Sequence, residues 1–196
     1  MDNDAKKKLS LISVSIIILL VISLCGAYTY MKYGGEIEDT VLVDDANEVT
    51  AFAHEMIDYK LPAGYYESIG QKQSATNIVM IKRDNSPLSE IVLIEYIQPE
   101  TLDQFKSGEL TIEQLAEEMQ DEQHFSMKLS NQYEMEINGK LVPMYMYSGV
   151  DEDGNEIVQL YSGLFSGKRY PMIVIVTYPM KELDEAELDN FLESIH

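Results

Sequence analysis

The hydrophobic pattern of this chain opens with an uninterrupted apolar run, Leu9 to Ala27, of 19 residues without a charge. As a helix rising about 1.5 Å per residue, the run covers about 28 Å, close to the ~30 Å hydrocarbon core of a bilayer. The pattern predicts a transmembrane helix over residues 9–31. Lys6, Lys7 and Lys8 in the flank 1–8 set its orientation, because basic residues beside a first span are retained in the cytoplasm. Tyr28, Tyr30 and Tyr33 follow with Lys32, and amphipathic side chains at that depth suit the far headgroup layer. Two rival fates start from the same residues. Cleavage after Ala27 would put Cys25 and Ala27 at the small-residue positions before the cut. Lipidation at Cys25 would need a small residue where Leu24 stands. The length of the run, the trailing tyrosines and Leu24 favour an uncleaved anchor.

Residues 32–45 are rich in glycine and acid and read as a linker. From Ala46 the apolar spacing becomes helical. Val49, Phe52, Ala53, Met56 and Ile57 fall on one stripe, predicting a helix from Ala46 to Asp58 with Asp45 as its cap and Glu48 three residues on. Leu61-Pro62-Ala63-Gly64 then turns the chain into three strands, Tyr65–Gln71, Asn77–Arg83 and Glu90–Ile97, the last two joined by the loop Asp84-Asn85-Ser86-Pro87. Ile91 to Ile94 is apolar without alternation, which places that strand centrally with both faces covered. Two helical pieces follow, Thr101–Phe105 and Thr111–Gln123. The second opens on a capping box, Thr111 with Gln114, and a hydrophobic staple, Leu110 with Leu115.

The last third predicts an antiparallel meander: Ser126–Ile137, Leu141–Val150, Glu156–Phe165 and Tyr170–Tyr178. Its turns are Asn138-Gly139 and Asp153-Gly154. Met172 to Val176 is again continuously apolar and reads as a second central strand. A final helix, Glu185–Ile195, is capped by Asp184, stapled by Leu183 against Leu188, and buries Leu188, Phe191, Leu192 and Ile195. Strands grouped in runs argue for an α+β fold. The expectation is an N-terminal transmembrane helix followed by one exported domain, residues 46–196, built on a mainly antiparallel sheet of about seven strands with helices on both faces.

Charge changes the picture of what this domain can meet. Residues 36–196 hold 10 Lys and Arg against 32 Asp and Glu, a net charge of −22. Nucleic acid is excluded, since phosphate binding needs a basic footprint. Anionic lipid repels such a domain, whereas a protein partner with a basic face suits it. Cys25 is the sole cysteine and lies in the predicted span, so the domain has no disulfide, thiolate metal site or cysteine nucleophile.

Candidate chemistry is sparse. Asp151, Asp153 and Asn155 in the loop Asp151-Glu152-Asp153-Gly154-Asn155 are oxygen donors of the kind Ca²⁺ takes, although the glycine stands fourth where an EF-hand loop has it sixth. The competing reading is an ordinary acidic hairpin. His54, His124 and His196 show no metal-ligand spacing, and no G-x-S-x-G elbow occurs. Glu117, Glu118, Asp121 and Glu122 read as the solvated face of a helix rather than an acid–base pair. Tyr145 and Tyr147 alternate with Met144 and Met146, so the two pairs point to opposite faces of a strand. Tyrosine and methionine are enriched at interfaces, which makes Tyr145 and Tyr147 a candidate interaction surface; packing beneath a helix is the alternative.

Four segments carry a resemblance: Ile57 to Tyr65 (IDYKLPAGY), the hairpin Asp151 to Gly154, Ser162 to Lys168 (SGLFSGK), and the ending Phe191 to Ile195 (FLESI). Over most of residues 45–196 the chain resembles membrane-anchored proteins whose exported domain has the PsbP-like α/β/α fold. The resemblance implies an architecture used for docking onto membrane or photosynthetic complexes and for non-enzymatic accessory work. It transfers no catalytic residue, and a fold does not fix a function. The expected protein is thus a single-pass membrane protein, its N-terminus cytoplasmic and its acidic domain extracytoplasmic. It is expected to bind a protein partner or assist a membrane complex without catalysis or cofactor. The alternative is an extracytoplasmic ligand- or Ca²⁺-binding sensor domain.

Overall fold

The computed structural model describes residues 40–196 apart from residues 124, 152 and 183. The flank 1–8, the expected span 9–31, Cys25 and most of the linker 32–45 lie outside the described residues, as do His124, Glu152 and the Leu183 half of the expected staple. Among the described residues no helix is long and apolar enough to cross a membrane.

The chain runs β1 (Val41–Val43), α1 (Ala46–Met56), β2 (Tyr65–Lys72), β3 (Thr76–Arg83), β4 (Ser86–Tyr96), α2 (Pro99–Ser107), α3 (Ile112–Gln123), β5 (Ser126–Ile137), β6 (Lys140–Val150), β7 (Glu156–Ser162), β8 (Phe165–Ser166), β9 (Pro171–Pro179), a 3₁₀ turn (Met180–Glu182) and α4 (Glu185–Glu193). One sheet of nine strands is ordered β1-β2-β3-β4-β9-β7-β6-β5, with β8 pairing beside β9. Every pairing is antiparallel.

The two continuously apolar strands, β4 and β9, are neighbours at the centre. Ile91 and Leu93 of β4, with Val174 and Val176 of β9, enter a core that also holds Val49, Phe52 and Met56 of α1 and Leu188, Phe191 and Leu192 of α4. Val92 and Ile94, with Ile173 and Ile175, enter a second core with Ile112, Leu115, Ala116 and Met119 of α3. Each such side chain contributes roughly 1.5–3 kcal/mol on full burial, and the period-two strand sends it to alternate faces. The helices therefore lie on both faces of the sheet, α1 and α4 on one, α2 and α3 on the other.

Most local signals act as their chemistry requires. Oδ1 of Asp45 accepts hydrogen bonds from the N–H groups of Asn47 and Glu48 at 3.0 and 3.2 Å, capping α1. The α3 capping box is reciprocal: the Thr111 N–H donates to Oε1 of Gln114 at 2.9 Å and the Gln114 N–H to the Thr111 hydroxyl at 3.2 Å. Asn138 and Gly139 both take positive φ in the two-residue turn between β5 and β6.

Among the boundaries that differ from expectation, including the last helix, which ends at Glu193 rather than Ile195, four have a visible cause. Val41–Val43, inside the expected linker, pairs with Val43 opposite Gly70 and forms an edge of the sheet. Helix α1 stops at Met56 rather than Asp58 because Ile57 is extended and the Asp58 backbone exchanges hydrogen bonds with that of His196 at 3.2 and 3.0 Å. The expected loop 84–87 is a two-residue turn, since β4 starts at Ser86. Its register passes from Lys82 opposite Glu90 to Arg83 opposite Ser86, so residues 87–89 form a bulge in which proline removes no ladder hydrogen bond. The expected strand Glu156–Phe165 divides at Gly163, whose N–H turns to the Pro143 carbonyl at 2.6 Å, and this yields the ninth strand, β8.

Candidate functional site

Polar side chains enter the interior in two rows, one on each face. On the α2–α3 face, Lys82, Glu90, Thr177, Gln159 and Tyr147 are successive register partners across five strands. The Gln159 amide donates to the Thr177 hydroxyl at 3.3 Å, and the Tyr161 hydroxyl donates to Oε1 of Gln159 at 2.9 Å. Glu90 is buried, and loss of water pushes its carboxyl up to about 7 against the opposing pull of Lys82. On the α1–α4 face, Glu95 is fully buried. Its Oε2 accepts from the Asn77 amide at 2.7 Å and lies 3.5 Å from the Arg169 guanidinium, which also sits 3.6 Å from Glu55 of α1. These groups face one another beneath helices and serve the fold.

A different arrangement stands at one end of the sheet, where the β4 bulge, the β6–β7 hairpin and the 3₁₀ turn after β9 converge around a cleft of about 310 Å³ that is partly open to solvent. Leu88 and Pro179 supply its apolar wall, Ser86, Asn155, Glu156 and Glu182 its oxygen-bearing wall, and Lys181 also borders it. Oε2 of Glu182 accepts hydrogen bonds from the hydroxyls of Ser86, in a very close contact, and of Ser89 at 3.3 Å. The two hydroxyl oxygens are 2.7 Å apart, and both serines are buried. The bulge brings Ser86 and Ser89 to the same carboxylate, and Glu182 is fixed in turn by the 3₁₀ turn that leaves the central strand β9. The result is a fixed carboxylate with a second, exposed one at Glu156, beside a short aliphatic surface.

The predicted site residues are placed as follows. Asn155 borders this cleft. Asp151 clasps its own hairpin: Oδ1 accepts from the N–H groups of Asp153 at 3.0 Å and Asn155 at 2.8 Å, and Oδ2 from the Asn155 amide at 2.7 Å. Both carboxylate oxygens thus hold the turn, and among the described residues no group of three or more His, Cys, Asp and Glu side chains is gathered to hold a metal ion. Tyr145 and Tyr147 do point to the face opposite Met144 and Met146. Tyr147, however, is buried in the second core and packs edge-on against Tyr161 with ring centroids 5.5 Å apart. The pair therefore presents only the half-buried Tyr145, because α3 covers this part of the sheet. His54 is not in the core: its ring stacks on Tyr59 and Nδ1 lies 3.2 Å from Asp58. Glu117 and Glu118 both lie on the exposed side of α3, next to the buried Ala116 and Met119.

No protein-family model and no curated protein sequence matches this chain. Among solved structures, the chain is similar to the solution structure of cyanobacterial PsbP (CyanoP) from Synechocystis sp. PCC 6803, at 13% identity, over 83% of this chain and 95% of that one, with a TM-score of 0.47. The likeness is one of overall shape and brings neither a partner nor an activity to this chain.

Proposed function

We propose that this chain is a single-pass membrane protein whose acidic domain stands outside the cytoplasm and docks a protein partner with a basic face, without catalysis. The observation that carries the reading is where the domain's few cations go. Lys168 lies 2.7 Å from Asp58, Arg169 reaches Glu55 and Glu95, Arg83 lies 3.7 Å from Glu187, and Lys106 lies 3.6 Å from Asp103. These four of the domain's ten cations are paired with its own carboxylates, and the net charge of −22 remains, most of the described carboxylates being exposed. Such a surface steers a cationic partner and repels anionic ones.

The test compares the intact chain with the domain alone as bait against native membranes, at low and high salt. A partner retained by both and released by salt supports docking through the domain. Retention of the intact chain only would assign docking to the span, and no retained partner would remove the reading.

A further inference from the structure

We infer that the cleft between the β4 bulge, the β6–β7 hairpin and the 3₁₀ turn receives a lysine or arginine side chain of the docked partner. This rests on the docking reading and assigns the residues that perform it.

The lining divides in the way such a side chain requires. A lysine or arginine carries an aliphatic stem that packs on apolar surface and a cationic head that needs acceptors. Leu88 and Pro179 offer the first, and Glu182, Glu156 and the carbonyl oxygen of the Asn155 amide offer the second. Glu182 is preorganised, because the buried hydroxyls of Ser86 and Ser89 fix its Oε2 before any partner arrives. A fixed acceptor loses little side-chain entropy on binding, which is where exposed ion pairs ordinarily lose their benefit. The hairpin behind the cleft adds the negative charges of Asp151 and Asp153. Lys181 at the same cleft opposes a cationic guest, and this gives the proposal a test of sign: removing Lys181 must strengthen binding.

The probe is N-acetyl-lysine N-methylamide, with the arginine analogue as a second cation and the norleucine analogue as the uncharged control. Each is titrated against the full chain in detergent micelles, following the Leu88 methyl and Asn155 amide signals by NMR. Saturable shifts are expected with the two cations and not with norleucine. Binding should weaken roughly threefold or more in Glu156→Gln and Glu182→Gln, and tighten about twofold in Lys181→Ala. Glu156 is exposed, so its variant folds whatever Glu182→Gln does to the serine contacts. Equal response to norleucine, shifts spread evenly over the acidic face of α3, or no saturation by about 100 mM would overturn the proposal. If a salt-sensitive partner binds Glu156→Gln and Glu182→Gln as tightly as the unaltered chain, docking stands and the cleft assignment falls.

Discussion

Lys168 ties the end of helix α1 to Asp58. Its ammonium lies 2.7 Å from Oδ2 of Asp58 and donates to the His54 carbonyl at 2.8 Å, while its own N–H donates to the Met56 carbonyl at 2.8 Å. Two carbonyls of the last turn of α1 are thereby satisfied by one residue from the β8–β9 connection, and its charge sits at the negative end of the helix dipole. The hydrogen bond from Lys168 is the main reason the Asp58 carboxyl titrates below the usual aspartate value of 3.8. A lowered native value means the unfolded chain takes up this proton first. The contribution is therefore complete above about pH 4 and lost as pH falls through the native value. Asp58→Asn should remove that part of the acid slope, measured by denaturant unfolding between pH 5 and 2.5; an unchanged slope would mean the pair is screened by solvent.

Glu90 predicts the opposite sign. Its carboxyl is raised from 4.5 to about 7, so the native state holds the proton more tightly than the unfolded chain. Stability should fall as pH rises from about 4.5 to about 7 and level off above, a change of up to roughly 3 kcal/mol for one buried group. Glu90→Gln should be the more stable protein at pH 8 and flat across that window. Equal stability of both proteins at pH 5 and pH 8 would mean that Lys82 compensates the buried charge of Glu90.

Ser162 replaces a missing ladder partner at the point where β7 ends. It is fully buried, and its Oγ accepts the Val174 N–H at 2.8 Å. Ser162→Ala should cost about 1–3 kcal/mol in denaturant unfolding, because the Val174 donor is left buried and unpaired. Ser162→Thr, which keeps the oxygen, should lose less if the added methyl fits.

Gly149 predicts a steric effect. A Cβ there would collide with the backbone carbonyl of Ser126 and approach the Met127 Cα to 2.7 Å, so β5 must shift away from β6. Gly149→Ala should cost roughly 1–3 kcal/mol. Its extra hydrogen exchange should be confined to the start of β5.

Asp151 tests the hairpin directly. Because its carboxylate holds the turn, Asp151→Ala should speed amide exchange at Asp153 and Asn155 to the same degree with and without millimolar Ca²⁺, while Asp153→Asn is silent in both. A melting temperature raised by Ca²⁺ and lowered again by Asp153→Asn would support the cation reading.

The central strands, the three helix caps at Asp45, Thr111 and Asp184, and the Asn138-Gly139 turn were legible because each signal is local. Apolar runs, an acid at a helix start and an Asn-Gly pair act within a few residues of themselves. Strand β1 was not legible: Val41-Leu42-Val43 is three residues in an acidic stretch and becomes a strand only by pairing with β2. Glu90 and Glu95 flank the apolar run of β4, and only the helices packed on both faces, which lie elsewhere in the chain, decide that they are buried. Tyr147 carries two readings, an interaction surface and packing beneath a helix, and the strand pattern cannot choose between them because it does not tell which stretch of sheet α3 covers. The cleft was hidden for a related reason, since Glu182 meets Ser86 and Ser89 across 96 and 93 residues of chain.

The most direct measurement of the account is the salt dependence of affinity between the full chain and the partner recovered with it from native membranes. Docking through the acidic domain requires a partner whose contact surface is rich in lysine and arginine, bound at least tenfold more weakly at about 0.5 M than at about 0.1 M salt. A partner whose affinity is indifferent to salt, or whose contact surface is neutral or acidic, would contradict it.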